Sequence, residues 1–169
     1  MGMWTHVFIN ENCEPYYSEA KEKNYLVKSY SGSTETEWWN SKDVIAAHVD
    51  FTNPEARSWY RQRLQAIQTT YGIDTFKFDA GETSWFPEDA VLTGDVSLTP
   101  SQITRAFVEI ASDFGNVVEV RTGWGTQYLE VFVRMLDFDS RWSVQNGLAS
   151  LIPTLLQFNF NGYVFVLPD

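Results

Sequence analysis

Two adjoining stretches, Asn53-Pro54-Glu55-Ala56-Arg57 running on to Tyr71-Gly72 and then Ile73-Asp74-Thr75-Phe76-Lys77-Phe78-Asp79-Ala80-Gly81-Glu82, decide how this chain folds. The first pairs a cap residue with Pro at the opening helical position. Ala56, Tyr60, Leu64, Ile67 and Tyr71 then fall on one face before Gly72 stops the helix. The second is a short apolar run of strand length that ends abruptly in Lys, Asp and Glu. A capped amphipathic helix feeding such a strand across one Gly is the repeating unit of a mostly parallel sheet with covered faces.

The same grammar extends in both directions. Apolar runs at residues 4–9, 44–51, 73–78, 117–120, 131–136 and 163–167 are the predicted strands. Thr99-Pro100-Ser101-Gln102 is a second capping box, followed by an Ile103, Phe107, Ile110 and Phe114 stripe that Gly115 ends. A third helix is expected over about 143–157, with Val144, Leu148, Leu151, Ile152 and Leu155 as its apolar positions and Pro153 either kinking it or marking a late start. Residues 29–43 are polar around an aromatic pair and read as a long loop of the kind that often carries function. No internal repeat or low-complexity run interrupts the pattern. The expected fold is α/β, an incomplete (β/α)8 barrel forming one partial domain over residues 1–169. A closed barrel takes about 250 residues, and this chain opens into one strand and stops at the end of another, as though truncated on both sides.

Composition narrows the function classes. With 44% hydrophobic residues the chain can bury a core, and its net charge of −10 argues against a surface that tracks phosphates, so nucleic acid is set aside. Cys13 is the single cysteine, which precludes a disulfide within the chain. No run approaches the roughly 20 apolar residues of a membrane span, and Met1-Gly2-Met3-Trp4 lacks the basic and apolar regions of a secretory signal. Seven Trp serve core packing or the stacking of flat ligands such as sugars.

In parallel α/β folds the working side chains sit at the C-terminal strand ends. Three predicted strands end in polar groups: one in Lys77, Asp79 and Glu82, the next in Arg121 with Trp124 close behind, the third in Asp137 and Asp139. A single strand-end carboxylate is commonly a helix cap or a solvated charge; three such ends on successive strands point to a site. Two carboxylates flanking one pocket can cleave a glycosidic bond, one attacking the anomeric carbon while the other protonates the departing oxygen. Asp79 shares a strand face with Lys77, and either Lys77 or Arg121 would favour its ionised form. Asp137, preceded by an apolar run, is the candidate for the raised pKa that an acid requires.

Those same residues resemble family 31 of the glycoside hydrolases over nearly the whole chain. Phe76-Lys77-Phe78-Asp79-Ala80-Gly81-Glu82 looks like that family's nucleophile motif in its Lys-x-Asp-x-Gly-Glu variant. His48-Val49-Asp50-Phe51-Thr52-Asn53-Pro54-Glu55-Ala56-Arg57 is similar to its Asp-Phe-Thr-Asn-Pro segment, and Trp4-Thr5-His6-Val7-Phe8-Ile9-Asn10 to an earlier barrel strand that usually reads His-Pro. Trp38-Trp39-Asn40, Glu119-Val120-Arg121, Asp137-x-Asp139-Ser140-x-Trp142 and Ser150-Leu151-Ile152-Pro153 extend the likeness. The family pattern places a substrate-binding Arg ahead of the acid/base. Asp137 lies sixteen residues after Arg121, the spacing that selects it over Asp139.

What the resemblance implies is a retaining α-glycosidase with Asp79 as nucleophile and Asp137 as acid/base. Trp39, Lys77 and Arg121 would contact the sugar and Trp124 would line its subsite, with no metal or organic cofactor. An α-galactoside is the first expected substrate, with α-xylosides and α-glucosides as alternatives, and kinship suggests the secretory pathway with an anchor encoded elsewhere. The sequence departs from the family at Ser41-Lys42-Asp43, where many relatives carry glycines, and between Gly123 and Leu129, where only Gln127 of a Ser-x-x-x-Gly-Ser-Gln form remains. Two other readings stay open. One is an inactive fragment acting as a binding or regulatory module, since missing barrel strands would leave edges exposed. The other, a phosphate-binding barrel or aldolase, lacks any Gly-rich phosphate loop. A metal site built from Asp79, Glu82, Asp137 and Asp139 is disfavoured because neither His6 nor His48 has a second His at ligand spacing.

Overall fold

The computed structural model describes residues 1–36, 38, 46–95, 97 and 101–169. Its framework is a parallel sheet of β1 (Gly2–His6), β4 (Thr75–Asp79), β5 (Glu119–Val120), β6 (Phe132–Arg134) and β7 (Val166–Leu167), in that spatial order. Helices α2 (Pro54–Tyr71), α3 (Ser101–Ser112) and α4 (Leu151–Phe160) fall between sheet strands in chain order, and a short α1 (Tyr16–Glu22) precedes them. This is the strand–helix alternation of a (β/α) barrel segment.

Two expected strands turn out differently. The run at residues 4–9 divides at Val7, so that only β1 joins the parallel sheet, while β2 (Phe8–Asn10) pairs antiparallel with β3 (Ala46–His48). The run at 44–51 therefore belongs to a separate two-stranded ribbon; its first two residues lie outside the described ones. All three residues of β3 are buried, which gives an apolar run no outward face to distinguish ribbon from parallel sheet.

Helix α2 forms as its signals predict. The Asn53 side chain accepts hydrogen bonds from the Glu55 and Ala56 backbone N–H groups, and Gly72 closes the helix in the left-handed region at φ 62°. Ala56, Tyr60 and Leu64 are buried, but Tyr71, expected on the same stripe, is exposed at the helix end. In α3, Ile103, Phe107 and Ile110 are buried to 1% exposure or less, each contributing about 1.5–3 kcal/mol by burial. The capping residues proposed for α3, Thr99 and Pro100, lie outside the described residues. The third predicted helix starts late: a 3-10 turn at Leu148–Ser150 leads into α4, which puts Pro153 in the first turn, where its missing N–H leaves no bond unmade. None of the α4 residues is buried, and Ile152, Leu156 and Phe160 face outward. Helix α1 has no sequence-level signal: Ala20 is its only buried residue.

The core runs between the sheet and α2 and α3. Phe76 and Phe78 point into it from β4, packed against Phe107 and Phe114, and Phe51 bridges Tyr60 and Phe107. Because side chains alternate along a strand, burying Phe76 and Phe78 sends Lys77 and Asp79 to the opposite face.

Candidate active site

Asp79 ends β4, and the chain turns sharply behind it. Ala80 adopts φ 60° and Gly81 φ 97°, conformations that a residue with a Cβ adopts at a cost of roughly 1–2 kcal/mol. Strain of this kind survives only where the surroundings impose it. Here the Phe107 ring packs over Gly81, and the buried Thr104 hydroxyl donates to the Gly81 carbonyl at 2.9 Å. The turn aims the Ala80 N–H at Asp79 Oδ1, 2.9 Å away. On the other side β1 runs in register with His6 opposite Asp79, and the Trp4 indole N–H donates to Asp79 Oδ2 at 3.1 Å. His6 is lowered from its ordinary pKa by burial, against the pull of the Asp79 charge, and its Nδ1 accepts the Phe8 N–H.

Two guanidinium groups converge on the same carboxylate. Arg134, from β6, places Nη2 2.8 Å from Asp79 Oδ1, and Arg121, just past β5, places Nε 3.2 Å from that oxygen. Oδ1 is thus held by two cations and a backbone N–H, while Oδ2 has the Trp4 indole. Arg121 is itself tied to Glu82, with Nη2 2.5 Å from Oε1. Arg134 is 3% exposed and reaches further: Nη1 lies 3.3 Å from Asp137 Oδ1 and 2.5 Å from Asp169 Oδ2. Its Nε stands 3.2 Å from Glu119 Oε1 as an ion pair, without the alignment of a hydrogen bond. Lys77 lies 3.3 Å from both Glu119 and Asp169, so it does not serve as the cation beside Asp79.

These groups wall an open cleft of about 830 Å³ lined by Trp4, Lys77, Asp79, Glu82, Trp85, Arg121, Arg134, Leu136, Asp137, Asn146 and Asp169. Four sequence candidates, Lys77, Asp79, Arg121 and Asp137, meet there. Trp39 lies outside the described residues. Trp124 does not line this cleft; it is 67% exposed in the turn beyond β5, carried away from the strand end by Gly123 and Gly125. The environment of Asp137 also differs from expectation. Its side chain is 83% exposed, and a hydrogen bond with Asp169, followed by the Arg134 guanidinium, holds its carboxyl below the ordinary range. The apolar run ahead of it buries β6 but ends before Asp137 does.

Arg134 was the residue whose role the sequence most nearly announced. A lone Arg inside Val131-Phe132-Val133-Arg134-Met135-Leu136 must be buried with counter-ions if that run is a strand. Asp169 and Trp4 had no such signal, since only the sheet order brings β7 and β1 to flank this cleft. Among the described residues no group of three or more His, Cys, Asp or Glu is arranged to hold a metal ion, and no helix is long and apolar enough to cross a membrane.

A strand–helix barrel segment with carboxylates and their partners gathered at C-terminal strand ends falls in the class of TIM-barrel glycoside hydrolases. The profile described as the glycosyl hydrolases family 31 TIM-barrel domain matches residues 1–169, and the chain belongs to that family. It is similar to the myogenesis-regulating glycosidase of Mus musculus, 38% identical over 169 residues, which cover 99% of this chain and 23% of the mouse protein. It is also similar to an alpha-xylosidase of Lactiplantibacillus pentosus, 36% identical over 81 residues, 47% of this chain and 10% of that enzyme. Among solved structures, a family 31 sulfoquinovosidase from E. rectale superposes with a TM-score of 0.82 at 23% identity, over 99% of this chain and 26% of that one. The chain thus spans about a quarter or less of the length of these relatives.

Proposed function

We propose that this chain carries the reacting carboxylates of a retaining α-glycosidase, with Asp79 as nucleophile and Asp137 as acid/base. The observation behind this reading is that both line one cleft and both contact the Arg134 guanidinium, at 2.8 Å and 3.3 Å. Oδ2 of Asp79 is the attacking oxygen, since Oδ1 is held by Arg134, Arg121 and the Ala80 N–H. Attack at the anomeric carbon expels the aglycone oxygen, which takes its proton from Asp137; water then returns along the reverse path with Asp137 as base. A glycoside lying in the cleft replaces water over the exposed Asp137, and that desolvation raises its pKa toward what an acid needs.

Lys77 and Arg121 are the sugar-facing polar groups. An α-galactoside is the substrate put first, as the family resemblance implies, with α-xylosides and α-glucosides next; the Lys-x-Asp-x-Gly-Glu motif and the similarity to an alpha-xylosidase support the second class. Hydrolysis of aryl α-galactosides, α-xylosides and α-glucosides by this chain and by the intact natural protein, each with an Asp79→Ala control, tests the proposal. Turnover abolished by Asp79→Ala names the sugar and supports the nucleophile. Silence of both forms on all three sugars counts against the glycosidase and favours the binding module.

A further inference from the structure

We propose that Arg134 is a positioning residue shared by the two reacting carboxylates, holding the negative charge in place as it passes from Asp79 to Asp137 and back. This rests on the reading of Asp79 and Asp137 given above. The geometry is specific: Nη2 faces Asp79 Oδ1 and Nη1 faces Asp137 Oδ1, one nitrogen for each carboxylate. The guanidinium is fixed from behind, because β6 is an interior strand paired with both β5 and β7, and Nη1 also donates to the Met135 carbonyl at 3.1 Å. A planar fork at 3% exposure has little freedom to follow one partner and abandon the other.

The charge balance of the reaction gives this arrangement its use. In the first step an Asp79 oxygen forms a bond to the anomeric carbon, the bond from that carbon to the aglycone oxygen breaks, and the released electron pair takes the Asp137 proton. Asp79 becomes a neutral ester as Asp137 becomes a carboxylate. In the second step water attacks the same carbon, gives its proton to Asp137, and Asp79 leaves as the anion. One negative charge therefore passes from the carboxylate facing Nη2 to the carboxylate facing Nη1 of a single guanidinium, and returns. A fixed cation in contact with both ends stabilises each state without reorganising solvent, the condition under which buried charges contribute most to a rate.

The second cation does so less: Arg121 acts on Asp137 by a smaller effect than Arg134 and makes no ion pair with it. Arg121 approaches Asp79 but is committed on its other side to Glu82. Among the described residues, the other charges around Arg134 are Glu119 from β5, Lys77 from β4, and Asp169 beyond β7. Glu119 and Asp169 lie against the guanidinium and Lys77 bridges them, so the buried cation keeps counter-ions when either reacting carboxylate turns neutral.

The test is the pH dependence of kcat/KM in the intact natural protein, on whichever aryl α-glycoside it cleaves, for wild type, Arg134→Met and Arg134→Lys, with thermal unfolding measured alongside. The acidic limb reports the nucleophile and the alkaline limb the acid. Arg134→Met is expected to lower kcat/KM roughly 100-fold through lost positioning, and to move both limbs upward by about one pH unit, because both carboxylates lose the same cation. Arg134→Lys, a compact ammonium unable to span both, is expected to move one limb and leave the other near wild type. Limbs that stay put in Arg134→Met, or a single limb that moves, overturn the shared role whatever happens to the rate. If Arg134→Met does not fold, Arg134→Gln takes its place: movement of both limbs supports the proposal, and movement of one or neither overturns it. Activity surviving Asp79→Ala would instead sink the assignment of the nucleophile, whereas activity abolished there with unmoved limbs in Arg134→Met sinks only the role of Arg134.

Discussion

The Phe107 ring occupies the space a side chain at Gly81 would need: a Cβ built on residue 81 would lie 2.4 Å from Phe107 Cδ1. The core of α3 thus reaches the turn that presents Asp79, two residues upstream, so packing and site geometry are set by one contact. Gly81→Ala meets three penalties, the φ of 97°, the ring, and the Thr122 methyl at 2.7 Å, and is expected to destabilise the fold by about 3 kcal/mol. A urea titration measures it. The double variant Gly81→Ala/Phe107→Leu should recover part of the loss, and strictly additive effects of the two changes would show that the contact is not the cause.

Trp4 offers a cleaner probe of the same carboxylate, because it is 46% exposed and its contribution to the core is small. Trp4→Phe removes the indole N–H that Asp79 Oδ2 accepts while keeping an aromatic wall. A hydrogen bond to a charged group contributes about 1.5–3 kcal/mol, which converts to a loss in kcat/KM of roughly 10- to 100-fold. The thermal midpoint should hardly move. An unchanged kcat/KM would mean that the indole bond plays no part in orienting the attacking oxygen.

How far the chain could be read in advance differs between elements for physical reasons. Helices α2 and α3 were legible because amphipathic periodicity and stop glycines are local features, as was the Pro54 start of α2. Strands β4, β5 and β6 were legible as apolar runs, and with them the placing of Asp79, Arg121 and Asp137 at one end of the sheet. The break at Val7 and the antiparallel pairing of β2 with β3 depend on contacts made far away in sequence, which a fully apolar run does not encode. The exposure of Asp137 was misjudged for a related reason: hydrophobicity before a residue says how its strand is buried, not whether the loop that follows leaves the sheet. Arg134 was legible in principle as a charge inside an apolar strand, but its partners come from β4, β5 and beyond β7, and no spacing reveals them.

His48 connects the ribbon to acid stability. It is 2% exposed among Phe8, Phe51 and Phe86, its Nδ1 lies 2.7 Å from the Val49 carbonyl and so carries the proton, and Nε2 has no hydrogen-bond partner among the described residues. Burial lowers its pKa to about 4, against smaller opposing effects of the Val49 hydrogen bond and the Asp50 and Glu82 charges. The folded value lies below the unfolded one, near 6.5, so between those values the unfolded chain binds the extra proton. The stability His48 confers is complete above about pH 6.5 and is lost as pH falls toward 4, by roughly 3 kcal/mol at most. Urea unfolding at pH 7 and at pH 4.5 should show this loss in wild type and a smaller one in His48→Phe. Equal losses in the two proteins would assign the acid sensitivity to other groups.

Asp169 helps hold the carboxyl of Asp137, the proposed acid/base, below its ordinary range. The largest cause of the lowered Asp137 pKa is its hydrogen bond with Asp169, with Arg134 adding to it. On that proposal Asp137 is protonated in the first step, so activity falls as pH rises through its pKa. Asp169→Asn removes a carboxylate from the cluster and puts in its place an amide whose NH2 donates to the Asp137 carboxylate. The change also frees Lys77, 3.3 Å from Asp169, and Arg134 Nη1 for other partners. With one anion fewer, Arg134 acts on Asp137 less opposed, and the amide keeps a donor on its carboxylate, so both changes favour the ionised form. On the proposed assignment the alkaline limb of kcat/KM is therefore expected to move to lower pH in Asp169→Asn, with any movement of the acidic limb in the same direction, because Arg134 faces both carboxylates. An alkaline limb moving to higher pH would show that the bond from Asp169 holds Asp137 down more than the amide can replace.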